Sequence, residues 1–162
     1  MLVKCWDLGE KREREQCYKA PNNKYYSSQE AYEEMVKNHE YRDKCIDLYR
    51  EWVGRVDQSP SIWTKKMQEV KAYGPEVVYV AMLLADNGAR YSVANKDFNN
   101  EYQMAAYLWA IVNGNILKAS KQIKQKQQRE KEAKIIEQAD HQEDIEEPVY
   151  HRSSTVDLSK YL

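Results

Sequence analysis

The stretch Pro75-Glu76-Val77-Val78-Tyr79-Val80-Ala81-Met82-Leu83-Leu84-Ala85 decides the fold class. From Val77 onward it is almost wholly apolar, and periodicity alone cannot separate a buried strand from a buried helix in so short a run. Two features favour a helix. Pro75 suits a first helical position, where its missing N–H costs nothing, and Ala81, Met82, Leu83 and Leu84 are strong helix formers. The reading is a buried helix ended by Asp86-Asn87-Gly88.

The neighbouring segments carry the same punctuation. Ser59-Pro60 reads as a cap and first position for a preceding helix with Ile62, Trp63, Met67 and Val70 on its apolar face, closed by Gly74. Upstream, Ser27-Ser28-Gln29-Glu30 has the form of a capping box. It starts a helix with Ala31, Tyr32, Met35 and Val36 on one side. A second periodic run, Tyr41, Cys45, Leu48, Tyr49, Trp52 and Val53, follows a break expected at Asn38-His39 and ends at Gly54. Downstream, residues 89–98 read as a connection or short helix. Asn99 or Asn100 then caps a long helix, with Tyr102, Met104, Leu108, Ile111 and Val112 facing inward. Gly114 near its middle costs about 1 kcal/mol relative to alanine.

The apolar pattern stops after Leu117. Lys118 to Lys134 holds seven basic and two acidic residues, whereas Ile135 to Tyr150 holds six acidic and no basic ones. The expected organisation is therefore mainly α. It comprises a small N-terminal β-hairpin or knuckle (1–27), a helical domain (28–117), a charged helical extension (118–139) and a disordered tail (140–162).

Composition sets wider bounds. With 25 Lys and Arg against 26 Asp and Glu, the formal net charge is −1. That argues against a histone-like binder and against an acidic mimic of DNA. No run of apolar residues is long enough to span a membrane, and the N-terminus lacks a signal-peptide apolar region. Three cysteines, an odd number, suit a reducing cytoplasm better than a disulfide framework. The aromatic set is skewed, with 13 Tyr and 4 Trp against one Phe. These amphipathic rings serve both half-buried walls and binding faces.

Cys5-Trp6-Asp7-Leu8 and Cys17-Tyr18-Lys19-Ala20 share a pattern: each cysteine is followed three positions on by an apolar residue. With cysteine at Leu8 and Ala20 the segment would hold a tetrahedral zinc ion; as it stands it keeps half a site. Three readings are open. Cys5 and Cys17 are core packing; or the fold is a degenerate zinc knuckle closed by Leu8 and Ala20; or zinc is bound by Cys5 and Cys17 together with His39 and Cys45. No cofactor is expected, zinc being the one candidate.

Several stretches resemble a loosely defined group of small proteins from phages and integrated elements of Gram-positive bacteria. In that group a cysteine-paired knuckle leads into Lys-Tyr-Tyr-Ser-Ser-x-Glu-x-Tyr, here Lys24 to Tyr32. Tyr-Arg-x-Lys-Cys-Ile follows, here Tyr41 to Ile46. A Phe-x-Asn-Glu-Tyr segment then runs into a helix, here Phe98 to Ile111. The resemblance covers residues 4–117 and departs from the pattern at Leu8 and Ala20. Tyr107 to Asn115 is also similar to the C-terminal helical domain of Gram-positive primosome proteins. The resemblance implies an accessory or inhibitory protein of a mobile element.

Motifs for catalysis are lacking. There is no dinucleotide or P-loop glycine pattern, and His39-Glu40 lacks the second histidine of a zincin helix. Asp43, Asp47 and Glu51 line one helical face, but Arg42, Lys44, Arg50 and Arg55 lie beside them. The expectation is a non-enzymatic protein that binds a host protein of replication, transcription or defence. The docking residues would be Val156, Leu158, Tyr161 and Leu162 at the end of the tail. The alternative is direct DNA or RNA binding through a basic stripe of Lys118, Lys121, Lys124, Lys126, Arg129, Lys131 and Lys134. Pairing of the long helix with a second copy, as a homodimer, is a further possibility.

Overall fold

The computed structural model describes residues 1–54, Trp63, Lys65 and 73–143. The helix start at Ser59-Pro60, its face of Ile62, Met67 and Val70, and the tail residues Val156, Leu158, Tyr161 and Leu162 lie outside them. The chain divides into two compact units, 1–123 and 124 onward.

The first unit opens with four short strands, β1 (Leu2–Lys4), β2 (Lys11–Glu13), β3 (Tyr18–Lys19) and β4 (Tyr25–Tyr26), with a 3-10 turn at Arg14–Gln16. Strands β1 and β2 pair antiparallel with Val3 opposite Arg12, and β3 and β4 pair with Tyr18 opposite Tyr26. A parallel bridge between Cys5 and Tyr25 joins the two hairpins. Gly9 turns the first hairpin at φ +73°, with its N–H donating to the Cys5 carbonyl at 2.9 Å. This left-handed position is open to glycine at little cost.

Helix α1 (Gln29–Val53) follows, then α2 (Gly74–Asn95) and α3 (Glu101–Glu143). The chain is mainly α, as its pattern predicts. The caps sit close to the expected places. Ser28 rather than Ser27 caps α1, its hydroxyl accepting from the Ala31 N–H at 3.1 Å. Gly54, at φ +66°, closes α1 with its N–H on the Arg50 carbonyl. Asn100 Oδ1 accepts from the Gln103 N–H at 2.8 Å, and Gln103 Oε1 accepts in return from the Asn99 N–H at 2.9 Å.

Two expected breaks are absent. Helix α1 runs straight through Asn38-His39, where neither glycine nor proline opposes it. Helix α2 continues past Gly88 to Asn95. Ala89 and Ser92 beyond the glycine are buried, and Arg90 Nε pairs back to Asp86 Oδ1 at 2.9 Å. Packing and that i,i+4 contact outweigh the helix cost of one glycine.

The core gathers Cys45, Leu48, Tyr49 and Trp52 of α1, Val78, Ala81, Met82 and Ala85 of α2, and Leu108, Trp109, Val112 and Ile116 of α3. Trp63 is fully buried among them. It stacks on Tyr49 with ring centroids 4.6 Å apart and meets Trp52 and Trp109 edge-on. Tyr32 ties α1 to the knuckle through Tyr26 and Tyr18. Among the described residues no helix is long and apolar enough to cross a membrane. The second unit is the remainder of α3, from Lys124, and its side chains through His141 are exposed.

Candidate functional site

The knuckle is the first place the sequence points to. Cys5 is buried and its thiol donates to Asp7 Oδ1 at 2.9 Å. Asp7 also accepts from the Ser27 N–H at 2.9 Å and from the Ser27 hydroxyl. Desolvation alone would raise the Asp7 pKa, but these donors outweigh it and bring the carboxyl down to about 2. The Cys5 thiol moves the other way: burial, then the bond to Asp7, raise it. The two shifts hold the proton on the thiol side of the hydrogen bond, with the carboxylate as acceptor.

Asp7 therefore fastens the turn of the first hairpin to the start of α1. Of the two residues that stand where the pattern wants cysteine, Ala20 is buried and Leu8 is half-exposed, so only one closes the knuckle by packing. Cys17 is partly exposed. Cys45 lies in the helical core, its thiol 3.8 Å from the Pro75 carbonyl and pushed up to about 12 by burial. It is not brought to the knuckle, so a quartet of Cys5, Cys17, His39 and Cys45 does not assemble. Among the described residues no group of three or more His, Cys, Asp or Glu side chains is placed to hold a metal ion.

His39 instead lines an open recess of about 370 Å³ with Asp7, Glu34, Asn38 and Arg42, between the knuckle and α1. Its charges are of both signs, and Asp7 is already engaged. Two of the three carboxylates in the row on α1 are likewise committed. Asp47 lies 3.7 Å from Arg50, and Glu51 pairs with Arg90 of α2 at 3.1 Å.

Lys118 and Lys121 in the first unit, and Lys124, Lys126, Arg129, Lys131 and Lys134 in the second, are all exposed on α3. At about 100° per residue, however, the five cations of the second unit are spread around the whole helix axis. They form a sleeve of charge rather than one face. Lys126 lies 3.9 Å from Glu130.

A feature the sequence reading passed over lies just before them. From Tyr102 to Leu117 helix α3 has no charged residue. Its buried side carries Ala105, Leu108, Trp109, Val112 and Ile116. The flank next to it presents Tyr102, Ala106, Ala110, Asn113 and Leu117 within a sector of about 80°, all exposed except the half-buried Ala106. Tyr102 is 61% and Leu117 66% exposed, although an inward position is expected for Tyr102. The strip runs roughly 22 Å along the axis, at about 1.5 Å per residue. The missing charges were visible in the sequence; projecting them on a helix with a known buried side was needed to see the strip. No family model, no curated protein and no solved structure matches this chain.

Proposed function

We propose that this chain is a non-enzymatic, cytoplasmic accessory or inhibitory protein of a mobile genetic element, and that it acts by binding a host protein of replication, transcription or defence. The uncharged outer strip of α3 carries this reading. An exposed helix face with a tyrosine at one end, a leucine at the other and alanines between suits another protein surface better than water or phosphate. The resemblance to small phage proteins supplies the biological setting. The tail residues Val156, Leu158, Tyr161 and Leu162 would add a second, peptide-like contact.

The test is capture of a stoichiometric, nuclease-resistant partner from a Gram-positive lysate by the full chain, by Ala110→Glu and by a chain lacking 150–162. Ala110 is exposed, so the glutamate should leave the fold intact, which circular dichroism checks. The reading requires that Ala110→Glu lose the partner. Undiminished capture by both variants sinks it. Sedimentation of the same proteins separates a foreign partner from a second copy, since a dimer dissociated by Ala110→Glu would assign the strip to self-association.

A second reading, DNA or RNA binding through Lys118 to Lys134, is supported by the exposure of those basic side chains. It predicts that charge reversal at Lys121, Lys124 and Lys126 flattens the salt dependence of binding.

A further inference from the structure

The knuckle carries a cluster that neither reading uses. Trp6 is 48% exposed, and two ammonium groups share its ring: Lys24 Nζ lies 3.9 Å and Lys4 Nζ 4.7 Å from the centroid. Lys4 stands directly opposite Lys11 in the β1–β2 register. Like charges facing each other across a strand pair destabilise it, so the hairpin carries this arrangement at a cost.

The carboxylates of the neighbouring charged stretch do not relieve it. Glu10 is taken by Arg12 at 2.7 Å and Glu13 by the N-terminal amine at 2.9 Å. Among the described residues no carboxylate comes within ion-pair distance of Lys4, Lys11 or Lys24. The frame beneath is well fixed. The Trp6 N–H donates to the Tyr25 carbonyl at 2.9 Å, and the Lys24 N–H donates to Asn22 Oδ1 at 3.0 Å.

We infer that this face binds single-stranded nucleic acid, with a base stacked on Trp6 and Lys4, Lys11 and Lys24 turned onto the flanking phosphates. The chemistry asks for a ligand that is anionic and also has a flat π face. Single strands offer both at every nucleotide, and base–aromatic stacking tolerates any sequence. An acidic peptide would satisfy the lysines and leave the indole without a stacking partner. The exchange is favourable in direction: an exposed cation–π contact is the weaker interaction, and each displaced lysine gains a phosphate. This inference stands apart from the α3 strip and from the charged sleeve of α3, and either can fail without it.

The test is fluorescence anisotropy of labelled oligo(dT) and oligo(U) with the full chain, between about 50 and 200 mM salt. Trp6→Ala should weaken binding about five- to a hundred-fold, and Trp6→Phe should restore part of it. Lys4→Glu with Lys24→Glu should flatten the logarithmic salt slope by about 1.4, the loss of two phosphate contacts on a single strand. Lys124→Glu with Lys126→Glu removes cations of the α3 sleeve, and Trp6→Ala should weaken binding by the same factor in that background as in the native chain. Circular dichroism on every variant establishes that the fold is kept. No binding by the native chain overturns the inference. So does binding indifferent to Trp6, or binding lost only with the α3 variants. Competition by poly-glutamate as strong as that by oligo(dT) also overturns it, in favour of an acidic protein surface.

Discussion

The indole nitrogen of Trp52 donates to Asp86 Oδ1 at 2.7 Å, joining the buried side of α1 to α2. Arg90 reaches the same oxygen and also Glu51, so one carboxylate anchors a short network between the two helices. Asp86→Ala leaves a buried indole N–H without its acceptor and should cost about 1–3 kcal/mol in urea unfolding. Asp86→Asn keeps a carbonyl oxygen in place and loses mainly the exposed pair with Arg90. Exposed pairs contribute about 0–1 kcal/mol, so Asn should retain most of the stability. Equal losses for the two variants would show that charge, not the indole bond, holds the helices.

The aromatic cluster makes a different demand. Trp63 is fully buried against Tyr49, Trp52 and Trp109, and among the described residues neither its Nε1 nor the Tyr49 hydroxyl has a hydrogen-bond partner. Tyr49 is raised to about 12 by burial and by the negative charge of Glu101. Removing a buried hydroxyl that bonds nothing removes only its desolvation penalty. Tyr49→Phe should therefore be neutral or stabilising, whereas Trp63→Ala should cost about 3–5 kcal/mol through the cavity it opens. Thermal and urea unfolding of the two variants checks both signs. A destabilised Tyr49→Phe would reveal an acceptor for the hydroxyl in solution.

These contacts mark the limit of what could be read in advance. Local signals were legible: Gly54 in its left-handed cap, Pro75 at the start of α2 and Asn100 at the start of α3 each act within a few residues of themselves. Relationships across the chain were not. Asp7 drew no reading of its own, because its partner Ser27 sits at the far end of the knuckle. Gly88 read as a terminator, because the packing of Ala89 and Ser92 that carries α2 onward belongs to the tertiary structure. The cations of 118–134 looked like a stripe in one dimension, and the five from Lys124 onward encircle the helix in three.

Cysteine chemistry offers a graded test of the same structure. Cys45 is buried, its thiol held up to about 12, and Cys5 is buried and bonded to Asp7, whereas Cys17 is partly exposed. Thiolate is the reactive form, so access and pKa act together. Iodoacetamide at mildly alkaline pH should modify Cys17 first, Cys5 only on opening of the knuckle, and Cys45 only on global unfolding. Peptide mass spectrometry over time gives the order. Early labelling of Cys45 would contradict the packing of α1 on α2.

Asp7 sets the acid limit of the knuckle. Its carboxyl titrates at about 2 in the folded chain, against 3.8 ordinarily, because burial is outweighed by the thiol of Cys5 and by the hydroxyl and amide of Ser27. The unfolded chain thus takes up this proton more readily than the folded one. The stabilisation is complete above the ordinary carboxylate value, and it falls away as pH drops toward and through about 2. In two-dimensional NMR the Ser27 amide should follow this titration, its resonance moving with a midpoint well below that of an exposed aspartate. Asp7→Ala should abolish the shift and raise the labelling rate of Cys5, while the Trp52–Asp86 contact in the helical core stays as it was. A midpoint near the ordinary aspartate value would mean that the carboxylate does not hold the hairpin turn to α1, and the knuckle would then need another fastening, such as the packing of Tyr26 and Tyr18 on Tyr32.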